Sequence, residues 1–131
     1  GTVVTPKLAD PVKVVSEQTA RTTVDMMENF VTQGWITSSV SIPGYRLAMK
    51  TGTAEQSDGS GGIASRYIVS NMGMFPAEDP QYVVAVTIYK PRTVSSSIGA
   101  TPYFKSIMKQ VLQTYSVLPS TTKSAPMAME W

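Results

Sequence analysis

The stretch Tyr82 to Lys90 (YVVAVTIYK) is almost wholly apolar, is rich in Val and Ile, and is closed by Pro91. Side chains on a strand alternate between two faces. A run that is apolar at nearly every position therefore asks for cover on both of them, the pattern of a central strand buried on two sides. Such a strand wants neighbours along both edges as well, so the chain must build a sheet around it.

The remaining elements follow from spacing and punctuation. Apolar residues at Ala20, Val24, Met27 and Val31, with Phe30 beside them, line one face of a helix. Ser16 is placed to cap it and Gly34 to stop it, which predicts a helix over 17–33. After Pro43-Gly44, residues 45–54 (YRLAMKTGTA) read as a strand, and the polar, glycine-rich 55–66 as a loop. A second strand is expected at 67–75, then a turn at PAEDPQ. Thr101-Pro102 reads as a cap followed by a first-turn proline, opening a helix whose apolar face is Phe104, Met108, Val111 and Tyr115. Residues 1–15, broken by Pro6 and Pro11, read as an extended lead-in. The order is helix, three strands, helix: an α+β fold, an antiparallel three-strand meander flanked by helices. The boundaries expected are a folded portion at 1–118 and a mobile tail at 119–131.

Composition removes whole classes of chemistry. With no cysteine there is no disulfide, thiolate nucleophile or cysteine metal site, and with no histidine there is no Ser-His-Asp triad or imidazole ligand. Acid–base work falls to Lys, Asp, Glu, Tyr and hydroxyls. A net charge of +2, without a Lys/Arg cluster, gives no footprint for nucleic acid. No stretch approaches the roughly 20 apolar residues of a membrane span. No signal-like leader opens the chain, which starts at Gly1, so a longer natural polypeptide is expected. The 131 residues suffice for one unit burying roughly two-thirds of its unfolded surface.

The segment that carries chemistry is Lys50-Thr51-Gly52-Thr53. Strand alternation puts Thr51 and Thr53 on one side, Lys50 and Gly52 on the other. Two hydroxyls on one side can bind a carboxylate. Gly52 removes a side chain, so another element can come close to the backbone. On an edge strand, free N–H groups can pair with an extended peptide, and Lys50 adds a cation. Against this stands a plain lysine in a polar strand end.

Other motifs carry less. Gly59-Ser60-Gly61-Gly62-Ile63-Ala64 fits G-x-G-x-x-A, but a strand follows where a dinucleotide site needs a helix. A phosphate loop fails because Met49, not Gly, precedes Lys50. Glu55, Asp58, Glu78 and Asp79 read as solvated turn carboxylates rather than a glycosidase pair. Met26, Met27, Met72 and Met74 read as core filler, Trp35, Tyr45 and Tyr67 as core or loop anchors, and Arg66 as a surface arginine.

Around the Lys-Thr-Gly-Thr segment, the order of pieces resembles the end of class B (monofunctional) penicillin-binding proteins, and the resemblance covers about 1–118. That family follows the Lys-Thr-Gly-Thr strand with a loop, a strand ending near Gly-Phe-x-Pro, an acidic turn with proline, a Val-rich strand, and a helix opening Ala-x-Pro-x-Phe. The counterparts are Lys50 to Thr53, Gly73 to Pro76, Asp79-Pro80, Val83 to Ile88, and Ala100 to Phe104. The upstream helix, with Val14-Val15-Ser16 and Pro43-Gly44-Tyr45, also looks similar.

The resemblance implies a partial penicillin-binding/serine β-lactamase-like transpeptidase fold. Its implied reaction is cross-linking of peptidoglycan stem peptides through a serine acyl-enzyme that β-lactams intercept, with no metal or organic cofactor. It implies that Lys50 assists proton transfer. Thr51 and Thr53 would hold the substrate carboxylate, Gly52 would allow close approach, and the Thr53 N–H would be one of two oxyanion donors. The family's S-x-x-K and S-x-N motifs have no convincing counterpart. Ser120-Thr121-Thr122-Lys123 spells S-x-x-K but follows the Lys-Thr-Gly strand, on the wrong side of it, so this chain alone is expected to be inactive. The parent is expected to be membrane-anchored, outside the cytoplasmic membrane, and associated with other cell-wall synthesis proteins. Alternatives are a β-lactamase or β-lactam sensor of the same superfamily, and a non-catalytic scaffold or interaction module.

Overall fold

The computed structural model describes residues 9–57, 59–94 and 96–127, with only the backbone described at 63–66. Helix α1 spans Glu17–Gln33 and a single turn, α2, spans Thr37–Val40. Three strands follow: β1 Ala48–Ser57, β2 Ile63–Phe75 and β3 Tyr82–Tyr89. A 3-10 turn at Ser97–Ala100 runs into helix α3, Thr101–Thr114.

The ends of α1 lie where capping chemistry puts them. The Ser16 hydroxyl accepts the Thr19 N–H at 3.0 Å, and the Gly34 N–H closes on the Phe30 carbonyl at 3.1 Å. A Cβ at Gly34 would collide with that carbonyl, so a larger residue would break the stop.

The strands form one antiparallel sheet in the order β1-β2-β3. Met49 faces Gly73, Thr51 faces Asn71 and Thr53 faces Val69; Gly73, Asn71 and Val69 in turn face Val84, Val86 and Ile88. These residues share the core face of the sheet. Phe104, Met108 and Leu112 of α3 join Met49, Phe75 and Val84 of the sheet in a core completed by Val31, Ile36, Val40 and Leu47. Gly73 is the seat of this packing. A Cβ there would lie 2.8 Å from the Ala48 oxygen, 2.8 Å from Phe104 Cζ and 2.9 Å from Met49 Cβ.

Several sequence expectations change. The loop expected over 55–66 shrinks, because β1 runs on to Ser57 and β2 begins at Ile63, with an irregularity between Glu55 and Gln56. Hairpin pairing satisfies the backbone of these polar residues, which composition alone reads as loop. The first strand starts at Ala48 rather than at 45.

Among the described residues strand β3 is an edge strand, not a central one. Val84 is buried, while Val83 is 73% and Tyr89 67% exposed. An apolar pattern reports what side chains would bury; which neighbours a strand acquires depends on the segments brought to it. Met26 and Met72 are exposed and not core filler. Met72, directly across from Lys50 on the neighbouring strand, lies on the same uncovered face as Val83 of β3. Thr101 is the first residue of α3 rather than its cap; Ala100 occupies the cap position because the 3-10 turn feeds straight into the helix. Leu112 takes the place expected of Tyr115, which is exposed and packs on Tyr82 at 5.2 Å between ring centroids.

Arg46, just before β1, makes two hydrogen bonds to Glu28 of α1: Nε to Oε1 at 2.7 Å and Nη2 to Oε2 at 2.6 Å. The Glu28 side chain is 2% exposed and that of Arg46 16%. Hydrogen bonding to Glu28 raises the Arg46 pKa above its already high ordinary value, so the guanidinium stays charged. The same guanidinium donates to Thr122 Oγ1 at 2.7 Å, and the Arg46 N–H donates to Ser120 Oγ at 3.0 Å. Residues 119–127 carry no regular secondary structure and lie back over α1, where the Met127 N–H donates to Asn29 Oδ1 at 2.9 Å.

Replacing Arg46 by Ala strands a buried carboxylate at Glu28. Loss of about 3–5 kcal/mol is expected, the cost of breaking a buried ion pair from one side. Urea denaturation measures it, and a loss below about 1 kcal/mol would mean that the pair behaves as a surface pair.

Candidate active site on the edge strand

Lys50, Thr51, Gly52 and Thr53 fall in the middle of β1, whose outer edge pairs with no other strand among the described residues. Extended backbone with one unpaired edge can accept a further strand or a peptide. The sequence expectation of two sides holds: Thr51 and Thr53 share the core face with Met49, and Lys50 and Gly52 point the other way.

Lys50 is exposed. Its ammonium donates to the Thr51 carbonyl at 2.7 Å and lies 5.8 Å from the centre of the Phe30 ring. An aromatic face within about 6 Å attracts a cation. Phe30 in turn meets Trp35 edge-on at 6.1 Å. The helix that precedes the strand thus supplies a platform under the lysine. In the sequence Phe30 stands beside the apolar stripe of α1 with nothing to tie it to Lys50. Only its offset from that stripe sets it apart.

Gly52 leaves room that its cross-strand neighbour fills. A Cβ would lie 2.6 Å from Ser70 Oγ, so the strand can carry a side chain here only if that hydroxyl turns away. Thr53 is exposed, yet held from behind: the Ser97 N–H donates to Thr53 Oγ1 at 3.0 Å. A hydroxyl that accepts in this way keeps its own proton for an outside acceptor. Nothing in the sequence pointed to Ser97, which is 44 residues away along the chain.

The other candidates do not join this site. Ser120 is engaged with the backbone around β1's start: its N–H donates to the Gly44 carbonyl at 2.8 Å and its Oγ accepts from Arg46. Tyr45 donates its hydroxyl to the Val117 carbonyl at 3.0 Å, an anchor as expected. Glu78 is only partly exposed, with Oε2 3.8 Å from Arg46 Nε, and so belongs to the ion-pair cluster rather than to a solvated turn. Asp58 and the side chain of Arg66 lie outside the described residues. Among the described residues no three acidic groups converge on a point that could hold a metal ion, and no helix is long and apolar enough to cross a membrane.

An exposed lysine, two hydroxyls and a glycine thus lie together on one strand, whose outer edge is unpaired among the described residues. Residues 1–109 match the model of the penicillin binding protein transpeptidase domain. The chain belongs to that family. It is 36% identical over 109 residues to the peptidoglycan D,D-transpeptidase FtsI of Escherichia coli K12, covering 82% of this chain and 18% of that protein. It is 30% identical over 141 residues to the penicillin-binding protein PbpB of Mycolicibacterium smegmatis, covering 99% of this chain and 22% of that one. The crystal structure of penicillin binding protein 3 from Mycobacterium tuberculosis, complexed with ampicillin, superposes with a TM-score of 0.78 at 28% identity, over 98% of this chain and 31% of that one. The chain thus spans about a fifth of the length of the curated relatives it matches. Its fold is the corresponding part of a penicillin-binding transpeptidase domain.

Because Lys50 is exposed and its contacts are peripheral, Lys50→Ala is expected to change stability by no more than about 0.5 kcal/mol. A thermal melt tests this. A loss above about 2 kcal/mol would assign the lysine to the architecture instead.

Proposed function

We propose that this chain is the Lys-Thr-Gly wall of a serine D,D-transpeptidase that cross-links peptidoglycan and is acylated by β-lactams. The observation that carries the reading is the set Lys50, Thr51, Gly52 and Thr53 on a strand edge that is unpaired among the described residues, in a chain of this family. The names of the relatives and the ampicillin complex of the M. tuberculosis protein support the substrate class.

In this reading a stem peptide ending in D-Ala-D-Ala lies along the outer edge of β1. Thr51 and Thr53 hydroxyls donate to its terminal carboxylate, and Lys50 assists proton transfer. The nucleophilic serine comes from polypeptide outside residues 1–131, on an S-x-x-K motif, with an S-x-N motif nearby. Its oxygen attacks the penultimate D-Ala carbonyl, and the charge that develops is held by the Thr53 N–H and the serine's own N–H. The terminal D-Ala leaves, and an amine of a neighbouring stem displaces the serine. A β-lactam opens in the first step and stays attached. Loss of one oxyanion donor typically costs about 100–1000-fold, so residues 1–131 by themselves are expected to be inactive.

The uncovered face of the sheet supports a partner within the same domain. Met72, Val83 and Tyr89 are exposed there, and covering such a face removes apolar surface from water. The occupant is the remainder of the transpeptidase domain. The parent is placed on the outer side of the cytoplasmic membrane, anchored to it and working beside other cell-wall synthesis proteins. No cofactor enters the reaction.

The test is the intact mass of the full-length protein after incubation with a penicillin. A stable gain of one penicillin, mapped to a serine outside this segment, is expected, and Lys50→Ala should nearly abolish it. Rapid hydrolysis of the drug would instead point to a β-lactamase. Absence of any adduct would point to a non-catalytic scaffold, and near-normal acylation of Lys50→Ala would remove that residue from the chemistry.

A further inference from the structure

Behind the candidate carboxylate-binding threonines lies a buried polar pair. Asn71, fully buried on β2, faces Thr51 across the strands, and Thr101, 1% exposed, opens α3 above it. In the amide orientation that satisfies both ends, the Asn71 oxygen accepts the Thr101 hydroxyl at 3.0 Å and the Thr101 N–H at 3.1 Å. Its nitrogen then donates to the Ser70 carbonyl at 2.7 Å. The Thr101 N–H also closes the preceding 3-10 turn on the Ile98 carbonyl. The Ser97 carbonyl lies 3.4 Å from the same Thr101 hydroxyl oxygen, whose one proton goes to Asn71 in this orientation, so the tie onward to Ser97 runs through the backbone of the turn. Ser97 itself is buried and donates its N–H to Thr53 Oγ1.

Buried polar groups are costly unless satisfied, and a satisfied set locks its members into one geometry. Here the set starts in the middle strand, ties down the first residue of α3 and the turn before it, and ends on Thr53. The cap position of α3 has no side-chain partner of its own, so Asn71 does from across the core what a capping residue does locally.

We infer that Thr101 and Asn71 are positioning residues for carboxylate recognition. They hold the 3-10 turn so that the Ser97 N–H occupies one lone pair of Thr53 Oγ1, which leaves the Thr53 proton directed at a ligand's carboxylate. Neither residue touches the ligand. The inference rests on the proposed transpeptidase reading and deepens it, since it says how one substrate-binding hydroxyl is aimed. A donor aimed in advance gains most against a charged acceptor and little against a neutral one.

The experiment compares acylation of the full-length protein by benzylpenicillin and by its methyl ester, which lacks the charged carboxylate. Thr101→Val removes the hydroxyl and keeps the shape; Thr101→Ala gives the same readout if the valine variant does not fold. The rate ratio of acid to ester is expected to fall about ten-fold, the worth of part of a charge-assisted hydrogen bond. The rate with the ester should stay unchanged, and Thr101→Ser should restore the ratio. A parallel fall with both compounds would mean a structural role only and overturns the inference, as does an unchanged ratio. Failure of the unaltered protein to be acylated at all would overturn the transpeptidase reading itself, and this inference with it.

Discussion

The seating of Phe104 on Gly73 decides most of the architecture. The glycine gives the ring direct access to the sheet between Met49 and the Ala48 carbonyl, where any side chain would collide. With Phe104 seated, Met108 and Leu112 follow at helical spacing and cover the same face. Docking α3 there fixes where its first residue lies, and with it the 3-10 turn against Thr53. Cover on the core face by α3 leaves the outer edge of β1 free, which is the condition for an extended ligand to pair with it.

Electrostatics divides the charged residues into two kinds. Arg46 and Glu28 are drawn together inside, doubly hydrogen-bonded, and join α1 to the start of β1. Four residues further along the chain, on β1, Lys50 is left in solvent above Phe30. The distinction is geometric: planar guanidinium and carboxylate can satisfy each other in a buried setting, while a compact ammonium keeps its hydration and mobility. One helix therefore serves both ends of the segment, holding the strand by an ion pair and underlying the lysine with a ring.

Much of the fold was legible along the chain. Ser16 and Gly34 marked α1 to the residue, because capping is local chemistry. The three strands and the final helix were found in order, and alternation placed Thr51 and Thr53 together. What went astray was non-local. The Glu55 and Gln56 region looked like loop because its pairing partner supplies the reason for it to be strand. Strand β3 looked central because its composition reports a wish for cover, not the neighbours present. The Arg46–Glu28 pair joins residues 18 apart, with no periodicity to announce it.

The candidate site divides along the same line. Residue types and their strand spacing were set by the sequence: a lysine, two hydroxyls and a glycine, arranged on alternate sides by the two-residue period of extended backbone. No amount of local reading could supply the rest. That β1 is an edge, that Phe30 lies under Lys50, and that Ser97, Thr101 and Asn71 converge behind Thr53 follow from which distant segments pack together. Packing is settled by shape and burial in three dimensions, and a linear pattern carries only each residue's own preference for water or core.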